Sequence, residues 1–396
     1  MLALLASQGN PHLKYPAVHI GGTNGKGSTG AFLDAMLRAA GYRVGRFTSP
    51  PLQHDEEHIL VDGTPISPNG FSSLLDSFLP TLAELPDQPT PFELVTAAAF
   101  TWFAKERVDC AIIEAGMGGR SDATNVITPT VTVLCPTSID HEAHLGSGIA
   151  AIAHEKAGLI KPEVPVVCAA QPAEAARIFR ETADEVDAPL RMANDAFRFA
   201  VEGYAFNQRL TYEGELEFNS TPIALAGRFQ GENAALAVAA AESMATRFPN
   251  LNAEAIRRGL SSAVWPCRFD RVQREPLIVI DCAHNPGGAK ALAHSMLPCI
   301  VVLAVSNDKD ASGITDALRP IAREFIATQY EGTRSMDAAQ LQTVCGASLT
   351  EPSLEAAINT GVARAEEQKL PLLITGSIFT AAQARRFLKA TPLSFR

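Results

Sequence analysis

The sequence predicts an α/β protein with a P-loop N-terminal domain, a mostly parallel sheet flanked by helices, followed by a smaller Rossmann-like α/β C-terminal domain. Three observations carry that expectation. An apolar run, Tyr15 to Ile20, enters a glycine-rich turn and leaves it as a helix with Phe32, Leu33, Met36 and Leu37 at helical spacing. Apolar strand-like runs then alternate with helical segments to the C-terminus, the pattern of parallel strands joined by crossovers. A chain of 396 residues also exceeds what one ordinary core organises. The boundaries read as 1–264 for the first domain, 265–275 for a hinge and 276–396 for the second.

Composition narrows the function classes. Lysine plus arginine number 33 against 43 acidic residues, a net charge of −10, which argues against a general binder of nucleic acid or anionic membrane and leaves room for a local basic pocket. The 7 cysteines show no zinc or redox spacing, and several sit in apolar runs as small buried hydrophobes, so a reducing cytoplasm is expected. The start, Met1 to Leu5, is a short apolar run without a basic leader, and no run is long enough to span a bilayer. Small-molecule partners and a monomeric chain are expected.

In chain order, the tail of a helix and a turn at Gly9-Asn10-Pro11 precede His19-Ile20-Gly21-Gly22-Thr23-Asn24-Gly25-Lys26-Gly27-Ser28-Thr29. A glycine-rich elbow between strand and helix lets successive N–H groups converge on phosphate oxygens at the positive end of the helix. Lys26 would reach the terminal phosphates, and the Ser28 or Thr29 hydroxyl lies close to the phosphates and their magnesium. The general phosphate-loop pattern is departed from: Ile20 stands where a glycine is usual, and Gly27 intervenes between Lys26 and Ser28. A bland glycine turn with a chance lysine is the alternative, disfavoured by the strand before and the helix after.

The Gly-Thr-Asn-Gly-Lys-Gly-Ser string resembles the nucleotide loop of the Mur ligase superfamily and, within it, the folylpolyglutamate synthase and dihydrofolate synthase branch. By that resemblance Asn24, Gly25, Lys26, Gly27 and Ser28 hold ATP. Arg43 to Phe47 reads as a strand leading into Thr48-Ser49-Pro50-Pro51. An isolated serine before proline is most often a turn residue; the resemblance makes Ser49 a magnesium ligand. The family commonly has histidine where Pro51 stands and arginine where His58 stands. Thr90-Pro91-Phe92-Glu93 opens a helix with Thr90 as N-cap and Glu93 as its capping-box partner, which suffices structurally. Because a similar family segment lies near the pteridine, Thr90, Phe92 and Glu93 are expected in the substrate pocket.

Val108 to Glu114 reads as a central parallel strand ending in a carboxylate, and ligands of open α/β sheets sit beyond such strand ends. The loop Ala115-Gly116-Met117-Gly118-Gly119-Arg120-Ser121-Asp122-Ala123-Thr124-Asn125 resembles the family signature, which implies Glu114 as a magnesium ligand and Arg120, Ser121 and Asp122 as substrate contacts. A further strand, Val131 to Cys135, leads to Asp140-His141 and the helix Ile149 to Gly158. A lone histidine is usually a satisfied polar group and a lone lysine near a helix end is usually solvated. Here the order Asp-His, Leu-Gly, Ile-Ala-x-Glu-Lys-Ala-Gly is similar to the family's, which implies that His141 binds a second magnesium and that Lys156 is carbamylated. The carbamate has a rationale: an ammonium offers a metal no lone pair, whereas carbon dioxide added to the neutral amine gives an anion with oxygen donors, which magnesium prefers.

Between Val164 and Leu225 come a strand, a helix near Glu174 to Ala183 and short alternating β-like segments such as Arg209 to Tyr212. Gln230 and Asn233-Ala234 match the family's Gln-x-x-Asn-Ala and make Asn233 an ATP contact; without the match it reads as a helix-start residue. Trp265-Pro266-Cys267-Arg268 is the expected hinge, with Cys267 replacing a family glycine and Arg268 placed to neutralise phosphate. Beyond the strand Leu277 to Asp281, the resemblance gives Asp281 an ATP contact, turns His284 toward the incoming glutamate, and adds Ser377 and Lys309 as family-like positions.

The reaction implied is ATP-dependent amide formation through an acyl phosphate, with Lys26, Lys156, His284 and Ser377 as catalytic positions and ATP, two magnesium ions and a carbamylated Lys156 as cofactors. A Mur-type peptidoglycan ligase is the alternative of the same chemistry, but it needs a nucleotide-sugar domain for which about twenty residues before the phosphate loop leave no room. A nucleotide-binding module without catalysis is the non-enzyme alternative, motivated by Pro51, His58 and the short N-terminus.

Overall fold

The computed structural model describes residues 1–388; the end of the expected second domain, 389–396, lies outside them. The N-terminal part carries an 8-stranded sheet in the order β4-β3-β2-β5-β1-β6-β7-β8. Its strands are β1 (Ala17–Gly21), β2 (Val44–Phe47), β3 (Ile59–Val61), β4 (Thr64–Pro65), β5 (Cys110–Glu114), β6 (Val131–Leu134), β7 (Val166–Cys168) and β8 (Leu190–Met192). From β2 across to β8 every pairing is parallel, and the two edge pairings, β2–β3 and β3–β4, are antiparallel. β1, β5 and β6 are buried along their whole length, as expected of parallel strands covered on both faces.

Alternation assigns those faces. Val18 and Ile20 join Ile112 and the helices Lys26–Ala39, Gln230–Met244 and Ala253–Ser262 in one apolar layer, while Ala17, Ala111 and Ile113 pack on the other face against the helix Pro91–Lys105. The chain leaves β1 for β2, returns to insert β5 between them, and goes on to β6 on the far side of β1. That reversal opens a crevice beyond the carboxyl ends of β5, β1 and β6.

An antiparallel sheet of β9 (Arg198–Glu202), β10 (Arg209–Glu213) and β11 (Glu217–Pro222) follows, in the order β11-β10-β9. The C-terminal 6-stranded sheet has the order β12-β13-β17-β14-β15-β16. It is built from β12 (Asp270–Gln273), β13 (Ile278–Ile280), β14 (Cys299–Leu303), β15 (Ala322–Ala327), β16 (Leu349–Thr350) and β17 (Leu372–Thr375), parallel except for β12. Among the described residues no helix is long and apolar enough to cross a membrane.

Some boundaries differ from the sequence expectation for identifiable reasons. The phosphate-loop helix starts at Lys26, with Gly25 in the left-handed region (φ 90°) at its N-cap. The helix Gln230–Met244 starts before Asn233, which therefore lies inside its first turn and caps nothing. The helices Pro68–Asp76 and Ala253–Ser262 have no counterpart in the pattern reading, although Asn252 caps the second through Glu254 and Ala255.

His19, on β1, is wholly buried and lies 2.8 Å by Nε2 from Thr124 Oγ1. Thr124 gives its own hydrogen to Asp122 Oδ1 at 2.5 Å, so Nε2 of His19 is the donor. Burial, with the charge of Lys161 second, lowers its pKa to about 3 from 6.5. The unfolded state therefore binds a proton that the folded state refuses as pH falls from 6.5 toward 3, and stability drops across that window. Urea unfolding is expected to show roughly 3 kcal/mol of this loss between pH 7 and pH 4 from His19 alone. A His19→Asn variant should show a flatter acid limb; an identical slope in both proteins would refute the assignment.

Candidate active site between the two sheets

A cavity of about 510 Å³ collects the carboxyl ends of both parallel sheets. From the first sheet, β2 delivers Ser49, β5 delivers Glu114, β1 delivers the loop Gly22 to Ser28, and β6 delivers Ser138, Asp140 and His141. From the second, β13 delivers Asp281 and His284, β14 delivers Ser306 and Lys309, and β17 delivers Ser377. The switch-point crevice thus recurs in two sheets that open onto one space.

The phosphate loop is braced from behind. Gly25 approaches Asn233 so closely that a Cβ would lie 2.3 Å from its Oδ1. Asn233 Nδ2 donates to Gln230 Oε1 at 2.9 Å, and Gln230 Nε2 donates to Ser28 Oγ at 3.2 Å. Lys26 Nζ reaches back to the Gly22 and Thr23 carbonyls at 3.3 and 3.4 Å. Trp265, which precedes the C-terminal sheet in the chain, covers the loop so tightly that a Cβ on Gly27 would sit 2.8 Å from its Nε1, and the buried Arg46 guanidinium lies 4.5 Å over its ring.

The carboxylate and amine groups are fixed equally closely. Thr48 Oγ1 donates to Glu114 Oε2 at 2.5 Å, orienting a nearly buried carboxylate. Gly119 crosses the helix Gly148–Ala157 where a Cβ would meet Glu155 O at 2.5 Å, and Arg120 N donates to the same carbonyl at 2.8 Å, which seats Lys156 beneath the loop. Lys156 is 4% exposed and its Nζ donates to Gly22 O at 3.0 Å. Burial first, and the charge of Lys26 second, lower its pKa to about 7. His141 adopts the left-handed conformation (φ 56°), and burial lowers its pKa to about 4. Its neighbour Asp140 would be raised by burial, but His284 and Lys309 hold it well below the ordinary carboxylate range.

A family model of the Mur ligase middle domain matches residues 20–241, and one of the Mur ligase glutamate ligase domain matches residues 267–378. The chain belongs to the Mur ligase family. This Mur ligase is 35% identical to the dihydrofolate synthase/folylpolyglutamate synthase of Bacillus subtilis (strain 168), over 98% of its own length and 94% of that protein. It superposes on Mycobacterium tuberculosis folylpolyglutamate synthase complexed with ADP and AMPPCP with a TM-score of 0.93 at 34% identity, covering 99% of this chain and 95% of that one. On E. coli FolC in complex with DHPP and ADP the TM-score is 0.89 at 28% identity, covering 98% and 92%. The Mur ligase fold, with a parallel-sheet N-terminal part and a separate C-terminal α/β part, is therefore common to all of them.

Not every expected position reaches the cavity of this ligase. Thr90 and Glu93 form the predicted capping box, Glu93 N donating to Thr90 Oγ1 at 3.2 Å and Thr90 N to Glu93 Oε2 at 2.9 Å, and they line no described cavity. Phe92 lines a second, apolar cleft of about 340 Å³ that shares Ser49 and Pro50 with the first and also takes in Pro51, Asp55 and His58. Arg120 and Ser121 are exposed outside both, and Asp122 turns inward to accept from Met117 N and Thr124. Cys267 does occupy a position suited to glycine, with φ 59°, a conformation that costs a side-chain-bearing residue roughly 1 kcal/mol. Asp281 accepts from Phe269 N and from Ala283 N, both at 2.8 Å, so it holds the start of β12 against the loop after β13 as well as lining the cavity. Thr48, Asp140, Asn285 and Arg334 were not singled out by sequence patterns; only the Asp-His order before the helix pointed toward Asp140.

Gly25 offers a test of the braced loop. Gly25→Ala combines a φ of +90° with a clash against Asn233, and is expected to weaken ATP binding about tenfold or more, read by isothermal titration calorimetry. Unchanged affinity would mean that the loop does not receive the nucleotide in this conformation.

Proposed function

We propose that this ligase joins the amino group of L-glutamate to a carboxylate of dihydropteroate, of a tetrahydrofolate, or of both, through an acyl phosphate formed with ATP. The observation that carries the reading is the single cavity in which Lys26, Glu114, His141 and Lys156 from one sheet face Asp281, His284 and Ser377 from the other. Relatives named for folate ligation support the choice of substrate class.

A carboxylate is a poor acyl donor because its leaving group would be oxide, and phosphorylation supplies a better one. Phosphoryl transfer asks the protein for alignment and charge neutralisation, with no serine or cysteine nucleophile. Lys26 and Arg268, which both line the cavity, gather the phosphate charge. Asn233 and Asp281 orient the nucleotide, and His284 and Ser377 face the incoming amino acid.

The donor set fits magnesium. Glu114 and the hydroxyl of Ser49 are hard oxygen donors, with Thr48 holding Glu114 in place. Ser49 and Glu114 would hold a magnesium ion here, with the remaining ligands supplied by phosphates and water, the usual mode for this ion. Bound magnesium neutralises charge on the phosphates. His141 belongs to a second such site. Lys156, whose pKa is lowered to about 7, has a large neutral fraction near neutral pH, and its amine can add carbon dioxide to give a carbamate and release a proton. The new oxygens supply the donor that an ammonium lacks.

Lys26→Ala is expected to lower turnover by roughly 100-fold, as for other lost transition-state charge contacts; undiminished glutamate-dependent ADP release would refute the role. Buffers stripped of carbon dioxide should depress activity and bicarbonate should restore it, while Lys156→Ala should lose activity and regain part of it with added short carboxylates. A fully active alanine variant would show that no carbamate is needed. ADP release with dihydropteroate or tetrahydrofolate, each with and without glutamate, decides the substrate; nucleotide binding without such release would favour a module that has lost catalysis.

A further inference from the structure

We propose that Asp140 is a positioning residue that ties the amine-accepting wall of the cavity to the phosphoryl-transferring wall. The inference rests on the ligase reading above and concerns a residue that reading leaves without a role. Asp140 follows β6, on the side of the phosphate loop, and its side chain is 7% exposed. Its partners lie on the other side. Lys309 Nζ donates to Oδ1 at 2.6 Å, Asn285 Nδ2 donates to Oδ2 at 2.9 Å, and His284 Nε2 stands 3.6 Å from Oδ2.

The cluster continues in both directions. Asn285 exchanges hydrogen bonds with Asn24 of the phosphate loop at 3.1 and 3.2 Å, and its Oδ1 also caps the helix Pro286–Ala293 through Gly288 N. His284 is held at its other nitrogen, Nδ1 lying 2.9 Å from Cys282 O. A buried carboxylate is tolerated only where donors satisfy it. Asp140 finds those donors chiefly on the C-terminal sheet's loops, so its burial and the placement of His284 and Lys309 are one condition.

An ordinary salt bridge between lobes would support both halves of the reaction equally. The arrangement here is one-sided. Lys309 is 8% exposed at its side chain, and without Asp140's charge it becomes an unpaired cation 3.5 Å from His141 Nε2. His284 loses its second anchor. Of the groups that receive the phosphates, Lys26, Glu114 and Lys156 hydrogen-bond to none of these residues, and Asn24 meets the cluster only through Asn285. Loss of Asp140 therefore slows attack by the amino acid far more than acyl phosphate formation, which it touches only through Asn285 and Asn24 and through Lys309 beside His141.

Hydroxylamine separates the two. As a small nucleophile it displaces phosphate from an acyl phosphate to give a hydroxamate and needs no amino-acid subsite, whereas glutamate must be oriented before its amine attacks. Asp140→Asn and, from the other side of the pair, Lys309→Met are each expected to lower kcat/KM for glutamate about 30-fold or more while ATP-dependent hydroxamate formation stays within about threefold of the parent. Asp140→Glu, which keeps the charge, should recover most of the amide rate. Parallel loss of hydroxamate and amide in a folded variant, or no loss of amide, overturns the inference. Should Asp140→Asn fail to fold, Lys309→Met makes the same comparison. A parent enzyme that forms amide but no hydroxamate also overturns it, and one that forms neither overturns the ligase reading as well.

Discussion

The amines of Lys26 and Lys156 line one cavity, where burial first and the charge of Lys26 second press the Lys156 amine toward neutrality. Much of the site follows from that constraint. The phosphate loop is shaped to receive an anion at Lys26, while Lys156, held under the Gly119 crossing and against the Gly22 carbonyl, is pressed toward neutrality. The same desolvation that disfavours the Lys156 cation leaves its amine lone pair available, the condition that the proposed carbamate requires.

The fold solves the supply problem by geometry. Parallel strands end on the same side, so four adjacent strands of the first sheet bring a serine, a carboxylate, a phosphate loop and a histidine to one edge without any long-range design beyond strand order. The second sheet repeats the device with an aspartate, a lysine and a serine. Their meeting makes a reaction chamber from two surfaces that are each incomplete.

What could be read from the sequence was what is local. The apolar run before Gly21, the carboxylate at the end of β5 and the capping box at Thr90 and Glu93 are short-range patterns with short-range causes, and the structure contains each of them. The capping box also shows the limit: Glu93 is spent on the helix start, and nothing in its spacing distinguishes that duty from contact with a substrate. The residues around Asp140 lay in readable motifs, but their meeting was illegible for a different reason. Its partners stand 145 and 169 residues away in the chain, joined only when two sheets meet, and no periodicity records such a meeting. Cys267 lay between these cases: its departure from glycine was visible, but the left-handed backbone that gives the departure its cost was not.

Trp265 has a consequence of a practical kind. The sequence holds 2 tryptophans, and Trp102 lies on the distant helix Pro91–Lys105. Trp265 alone is sandwiched between the glycine loop and a buried guanidinium. Indole emission responds to nearby charge and polarity, so the molecule carries an intrinsic optical gauge at the joint between its halves, able to report loading of the loop in unlabelled protein and in real time.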